Sequence, residues 1–408
     1  MKLLSQLLLL PPPLLLLPPP AVLRETCIGV HAYSTLSDDT LRALPTPGHD
    51  FDINTGKLLA PILRTRVPGT EGSRAVLQHF ADFFNDNLPE WKLSFQNSSS
   101  TTPTSNGDQV PFVNLIANRD PPWTKGDGDV GRLSLVAHYD SKLTPEGFIG
   151  ATDSAAPCAM LLHAARSIDA ALTAKWNAMS AAGNTDDDLE GHQGVQILLL
   201  DGEEAFHTWT HTDSLYGARS LAAEWETTMF GYGGGVFESP LRTIELFVLL
   251  DLLGSKDPKV PSYFKTTHWA YQKMAEAETR LRAAGMFKSS PNHPSKRAEE
   301  RAKEPMFLHE GGKKDTDRWS GGYVEDDHVP FMARGVEILH IITAPFPTVW
   351  HTIQDDGEHL DLDTVEDWAM LTLAFVAEWL ELEGYFDDVQ PAVRRSVGRD
   401  EHAGRDEL

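Results

Sequence analysis

The sequence predicts an α/β protein, a three-layer sandwich in which helices flank a central, mixed but mostly parallel sheet. Strand-length apolar runs alternate with helix-period segments in one series, which is the pattern such layers require. Several of those runs stop abruptly at His, Asp or Glu, as expected where the carboxyl ends of strands in an open α/β sheet carry a ligand site. A chain of 408 residues with 41% hydrophobic content also holds enough apolar material for one large core.

Taken in order, 72–88 places Val76, Leu77, Phe80, Phe83 and Phe84 at helical spacing and reads as an amphipathic helix lying on the sheet. Strands are expected at 112–117, 133–138, 195–200, 244–250 and 336–342, with helices at 156–172, 214–226, 263–284 and 364–383. Three stretches lack periodicity: 97–109, rich in Ser and Thr; 181–193, with Asp186, Asp187 and Asp188 in a row; and 289–317, crowded with Lys, Arg and Glu. They read as solvated insertions, and the last runs into Arg318 and Trp319 near an acidic loop.

The two ends read differently from this middle. Met1 and Lys2 precede Leu-rich segments broken by prolines, so no uninterrupted 18-residue apolar span exists and 1–23 reads as a secretory signal peptide, a Pro-rich disordered extension being the other reading. The catalytic unit is expected at 30–390 and a flexible tail at 391–408. That tail ends in Arg405, Asp406, Glu407 and Leu408, similar to a receptor-read retrieval signal. Signal and tail together point to the lumen of the endoplasmic reticulum, or to secretion if the tail is not recognised. Asn97, Ser98 and Ser99 form a glycosylation sequon. A net charge of −24 argues against nucleic-acid binding, and two cysteines, Cys27 and Cys158, make no disulfide framework.

Chemistry concentrates at the strand ends. Leu198, Leu199 and Leu200 run straight into Asp201, Gly202, Glu203 and Glu204, and adjacent carboxylates there repel unless a cation or a shared proton holds them. His138 and Asp140 follow a second apolar run, Asp153 opens a helix, Asp251 closes a third run and His351 follows a fourth. Convergence of these ends predicts one metal site.

The strings AHYDSK at 137–142, GATDSAAPCAMLL at 150–162, DGEEAF at 201–206, DSLYGAR at 213–219, LLDLLG at 249–254, DDHVPF at 326–331 and VWHT at 349–352 resemble, in order, those of the glutaminyl-peptide cyclotransferases, or glutaminyl cyclases, of the zinc aminopeptidase clan. The resemblance covers about residues 60 to 385. It implies one zinc ion held by Asp153, Glu204 and His351 with a fourth position open, a set suited to that metal. It also implies Glu203 as general acid and base, Asp251 and Asp326 as assisting aspartates, and Trp209, Phe346 and Trp350 as an aromatic pocket. Glu325 departs from the family, where Gln is common, and puts a charge at the rim; read alone, Glu325 to Asp327 is a solvated acidic run. In many animal members of that family a cysteine before the His of the HYDS motif pairs with the one matching Cys158, but here that position is Ala137, so Cys158 is expected as a buried free thiol, with pairing to Cys27 the other reading.

The implied reaction is cyclisation of N-terminal glutaminyl residues of peptides and proteins to pyroglutamyl, with release of ammonia and with N-terminal Glu a slow substrate. Two other readings share these residues. A two-zinc aminopeptidase would use His138, Asp153 and Asp251 for a second ion, and a binding-only protein would hold peptide N-termini without turnover.

Overall fold

Six strands make one mixed sheet in the computed structural model, which describes residues 33–185, 192–231, 237–319 and 324–386. The expected signal segment, the tail, Cys27 and most of the Asp-rich run lie outside the described residues. The strands are β1 (Lys92–Ser100), β2 (Val110–Arg119), β3 (Gly131–His138), β4 (Gln193–Leu200), β5 (Ile244–Asp251) and β6 (Ile338–Ile342), in the spatial order β1-β2-β4-β3-β5-β6. β4, β3, β5 and β6 run parallel, whereas β1 pairs antiparallel with β2 and β2 antiparallel with β4.

The helices are α1 (Asp38–Ala43), α2 (Glu71–Asn87), α3 (Ala156–Ala182), α4 (Tyr216–Thr227), α5 (Pro240–Thr243), α6 (His268–Ala283), α7 (His328–Met332) and α8 (Leu362–Trp379). Successive side chains of a strand face opposite ways, and the core divides accordingly. Leu133, Leu135 and Ala137 of β3 pack in one cluster with α2, α3, α6 and α8, while Val136 faces a second cluster with Leu221 of α4 and Phe331 of α7. Both faces are therefore covered, and the three-layer sandwich expected from the sequence is the observed architecture. No described helix is long and apolar enough to cross a membrane.

Two expectations are corrected. The first four residues of the polar stretch 97–109 belong to β1, whose register runs from Lys92↔Asn118 to Ser100↔Val110. An edge strand needs a partner on one side only, so it tolerates a serine-rich sequence that a central strand would not. Gln96 anchors it by donating to Ser220 Oγ at 2.9 Å and Glu224 Oε2 at 3.0 Å on α4.

The stretch 289–317 is not all solvated either. Phe307 and Leu308 are buried, their N–H groups donate to the Glu278 carboxylate at 2.7 and 2.9 Å, and Phe307 stacks on Trp368. Helix α3 also runs ten residues past its expected end, and α7 occupies part of what read as loop.

Candidate active site

Parallel strands deliver their carboxyl ends to one edge of the sheet, and there the chain turns sharply to present side chains. After β4, Asp201 accepts the N–H of Val113 at 2.9 Å and its own N–H donates to Asn114 Oδ1 at 2.9 Å, which fixes the turn. Gly202 has φ +72°, and a Cβ there would collide with the Phe112 ring. Asp140, beyond β3, accepts the N–H groups of Glu203 at 3.0 Å and Glu204 at 3.2 Å, so one buried carboxylate sets the direction of both glutamates.

Asp153 lies in the turn Ala151–Ala155 that precedes α3. Asp355 ties this turn to the loop bearing His351, accepting from Thr152 N at 2.8 Å and Thr152 Oγ1 at 3.0 Å. Arg66, fully buried, closes the base of the site by donating to the carbonyls of Tyr139, Ile149 and Gly150. No sequence signal marked this arginine, since its partners are backbone atoms. Arg66→Leu is expected to lower stability by about 3 kcal/mol or more, because it strands several buried acceptors. Urea unfolding of the two proteins checks it.

Three donors then meet. His351 Nε2 lies 3.5 Å from Asp153 Oδ2 and 3.4 Å from Glu204 Oε1. Both of those oxygens are buried and accept no hydrogen bond. A tetrahedral zinc with bonds of about 2.0–2.1 Å sets its ligand atoms roughly 3.3–3.4 Å apart, so the spacing and the donor types fit that ion. Crowding acts in the same sense: burial, then the neighbouring Glu204, pushes the Asp153 carboxyl up to about 7. His351 has φ +56° and stacks on Trp350 with ring centroids 3.8 Å apart, so the tryptophan fixes the imidazole plane.

Two other groups contain metal-type residues, and each holds a short hydrogen-bond contact, although both ring nitrogens of His328 are buried without a partner. His138 Nε2 lies 3.0 Å from Asp153 Oδ1 and 3.4 Å from Asp251 Oδ1, and Asp251 Oδ1 also accepts from Leu252 N and the Ser154 hydroxyl. Burial alone would lower the His138 pKa, but Asp140, Asp153 and Asp251 raise it well above its ordinary value. Asp326, His328 and His340 form the third group, in which His340 Nε2 sits 2.7 Å from Asp326 Oδ2. That edge is too short to bracket an ion. Burial pushes His340 down to about 4 and so keeps it neutral at ordinary pH.

A cavity of about 370 Å³ opens above the donors. The wall takes in Glu203, Asp251, Trp209, Glu325, Phe346 and Trp350, together with Asp153, Glu204 and His351, so nearly every residue expected from the sequence converges here. Asp326 is the exception: it is buried, outside the cavity wall, and bonded to His340 and to Asp327 N. Glu203 lines the cavity, and its carboxylate makes no hydrogen bond with another side chain among the described residues. Burial and the nearby Glu204 push its pKa well above the ordinary value. For Asp251, burial works upward but the hydrogen bond and charge of His138 outweigh it and hold the carboxyl below its usual range. Sequence reasoning gave no role to Lys142, whose Nζ donates to Glu204 Oε2 at 3.1 Å inside the wall. The Cys158 thiol is buried as expected and donates to the His138 carbonyl at 3.2 Å.

The profile of peptidase family M28 matches residues 114–376. The glutaminyl-peptide cyclotransferase of Bos taurus is 35% identical over 328 residues, which cover 79% of this chain and 81% of the bovine one. The chain belongs to the glutaminyl-peptide cyclotransferases of peptidase family M28. Another relative is an uncharacterised protein of Saccharomyces cerevisiae, 37% identical over 354 residues and covering 82% of this chain and 86% of that one. The crystal structure of Macrostomum lignano glutaminyl cyclase superposes with a TM-score of 0.67 at 29% identity, covering 86% of this chain and 96% of that one. As a cyclotransferase of this family the chain is an enzyme, and its mixed sheet with flanking helices is the architecture shared with that structure.

Proposed function

We propose that the chain converts N-terminal glutaminyl residues of peptides and proteins to pyroglutamyl residues and releases ammonia, using one zinc ion held by Asp153, Glu204 and His351. The observation that carries this reading is the pairing of a donor triangle whose two carboxylate oxygens are buried and unsatisfied with an uncommitted carboxylate, Glu203, in the wall of the same cavity. When bound, zinc supplies a Lewis acid for the substrate's γ-carbonyl.

The chain's own residues supply the rest. Glu203 takes a proton from the α-amine as that nitrogen bonds to the γ-carbon, then gives a proton to the departing amide nitrogen, which leaves as ammonia. Because nucleophile and electrophile belong to one residue, confinement in the cavity provides proximity without an activated water. Leu252, Ile342, Phe346 and Trp350 exclude water and hold the methylene chain. Asp251, on the wall, holds the amine, and Asp326, bonded to His340, assists from behind it. N-terminal Glu reacts slowly, a carboxylate being the poorer electrophile.

A second reading has an observation of its own: His138, Asp153 and Asp251 also lie close enough to hold an ion, which a two-metal aminopeptidase would use. The contacts of 3.0 Å from His138 to Asp153 and the Ser154 hydroxyl on Asp251 favour a hydrogen-bonded network there. Metal quantitation on the purified protein separates the two. One tightly held zinc per chain is expected, and two ions both needed for activity would move the assignment to the aminopeptidase.

We also propose that residues 1–23 direct the chain into the secretory route, that 30–390 is one catalytic domain and that the tail at 391–408 is read by a retrieval receptor. Asn97, exposed on β1, is then available for glycosylation. Deleting Arg405 to Leu408 is expected to leave catalysis intact and to raise the secreted fraction in cells of the source type. Equal secretion of both forms would withdraw the luminal assignment in favour of a secreted enzyme.

A further inference from the structure

We propose that Glu325 makes the mouth of the cavity charge-selective, so that this enzyme prefers substrates whose second residue is cationic. The inference rests on the cyclase reading and extends it beyond the first residue.

A cavity of about 370 Å³ walled by Phe346 and Trp350 accommodates a glutaminyl side chain and its amine, so the remaining peptide must leave across the rim. On that rim Glu325 is exposed, and Trp209 Nε1 donates to its Oε2 at 3.1 Å, which aims the carboxylate instead of leaving it to sweep through solvent. The other oxygen is left for a ligand. No cation lies within ion-pair distance of Glu325 among the described residues. Lys142, the cation of the cavity wall, is committed to Glu204. Lys313, across Val324 in the adjoining groove, is committed to Glu310 at 2.7 Å. Arg318 borders the same groove and makes no ion pair with a described carboxylate. The rim therefore presents an oriented negative charge beside the exit path, and Lys or Arg as the next residue reaches it while Asp or Glu is repelled.

Partial exposure limits the effect. An oriented but solvated pair changes affinity by about threefold, and repulsion of the opposite sign adds a similar factor, giving a ratio of about tenfold that weakens with salt. The test compares three C-terminally amidated peptides that differ only in the second residue, Gln-Arg, Gln-Ala and Gln-Glu, with the zinc-loaded full chain and its Glu325→Gln and Glu325→Lys forms.

Each result is a ratio taken within one protein, so a general loss of activity in a variant does not disturb it. In the parent enzyme kcat/KM for Gln-Arg is expected to exceed that for Gln-Glu by about tenfold at low ionic strength, carried by KM and diminished in high salt. Glu325→Gln brings the ratio close to one, and Glu325→Lys inverts it. A parent ratio near one, or a tenfold ratio that survives Glu325→Gln, would overturn the inference while leaving the cyclase reading standing. Absence of pyroglutamyl product from Gln-Ala with the parent enzyme would overturn that reading and this inference with it.

Discussion

Glu203→Gln is expected to lower turnover of an N-terminal glutaminyl peptide by about 10²- to 10⁴-fold while the protein keeps its fold and its metal. The substitution is nearly isosteric and removes the ability to carry a proton, but leaves the Glu203 N–H that donates to Asp140 and so leaves the turn intact. Glu203 is also outside the donor triangle, so metal content should not change. Steady-state kinetics, circular dichroism and metal analysis on the same preparation check the three parts of the expectation. Near-normal turnover would assign the proton work to Asp251 or Asp326.

His351→Ala is expected to reduce retained zinc from one per chain to near zero after dialysis and to abolish turnover with it. The side chain is about a quarter exposed and stands at the edge of the cavity, so its loss removes the nitrogen donor without opening the core. Asp153 Oδ2 and Glu204 Oε1 then face each other with no imidazole between them, and added imidazole should restore part of the binding. The companion variant is His340→Ala. It disrupts the Asp326 hydrogen bond and is expected to keep the zinc. Retention of metal by the first variant and loss by the second would place the ion in the buried group of Asp326, His328 and His340.

Much of the candidate site was legible because the residues proposed for its chemistry break the rules of the elements they adjoin. Glu203 and Glu204 follow a fully buried strand, and nothing in packing explains two carboxylates there. Asp251 closes a buried strand in the same way, and the connections beyond the strand ends bring Asp153 and His351 to it. Residues whose partners are backbone atoms left no such trace. Arg66 reads in the sequence like any surface arginine, yet it holds both ends of the connection that follows β3 through carbonyls. Lys142 was visible only inside a motif, without its contact to Glu204.

The misread elements share a physical cause as well. Strand β1 is polar because an edge position asks for one ladder and permits solvent on its free side, so composition alone points to a loop. The stretch ending near Asp317 is charged on average, but two consecutive apolar residues, Phe307 and Leu308, anchor it to Glu278, and an average over the segment hides them. Asp326, expected as an assisting aspartate, sits just outside the cavity wall, bonded to His340, where burial and then the nearby Asp251 charge raise its pKa.

The most direct test of the account is mass analysis of the products formed by the purified, zinc-loaded chain from a short peptide with N-terminal glutamine. A single product of unchanged residue count, lighter by one ammonia and blocked at its N-terminus, is expected, with free ammonia in equal amount. Release of free glutamine with a peptide shortened by one residue would contradict it.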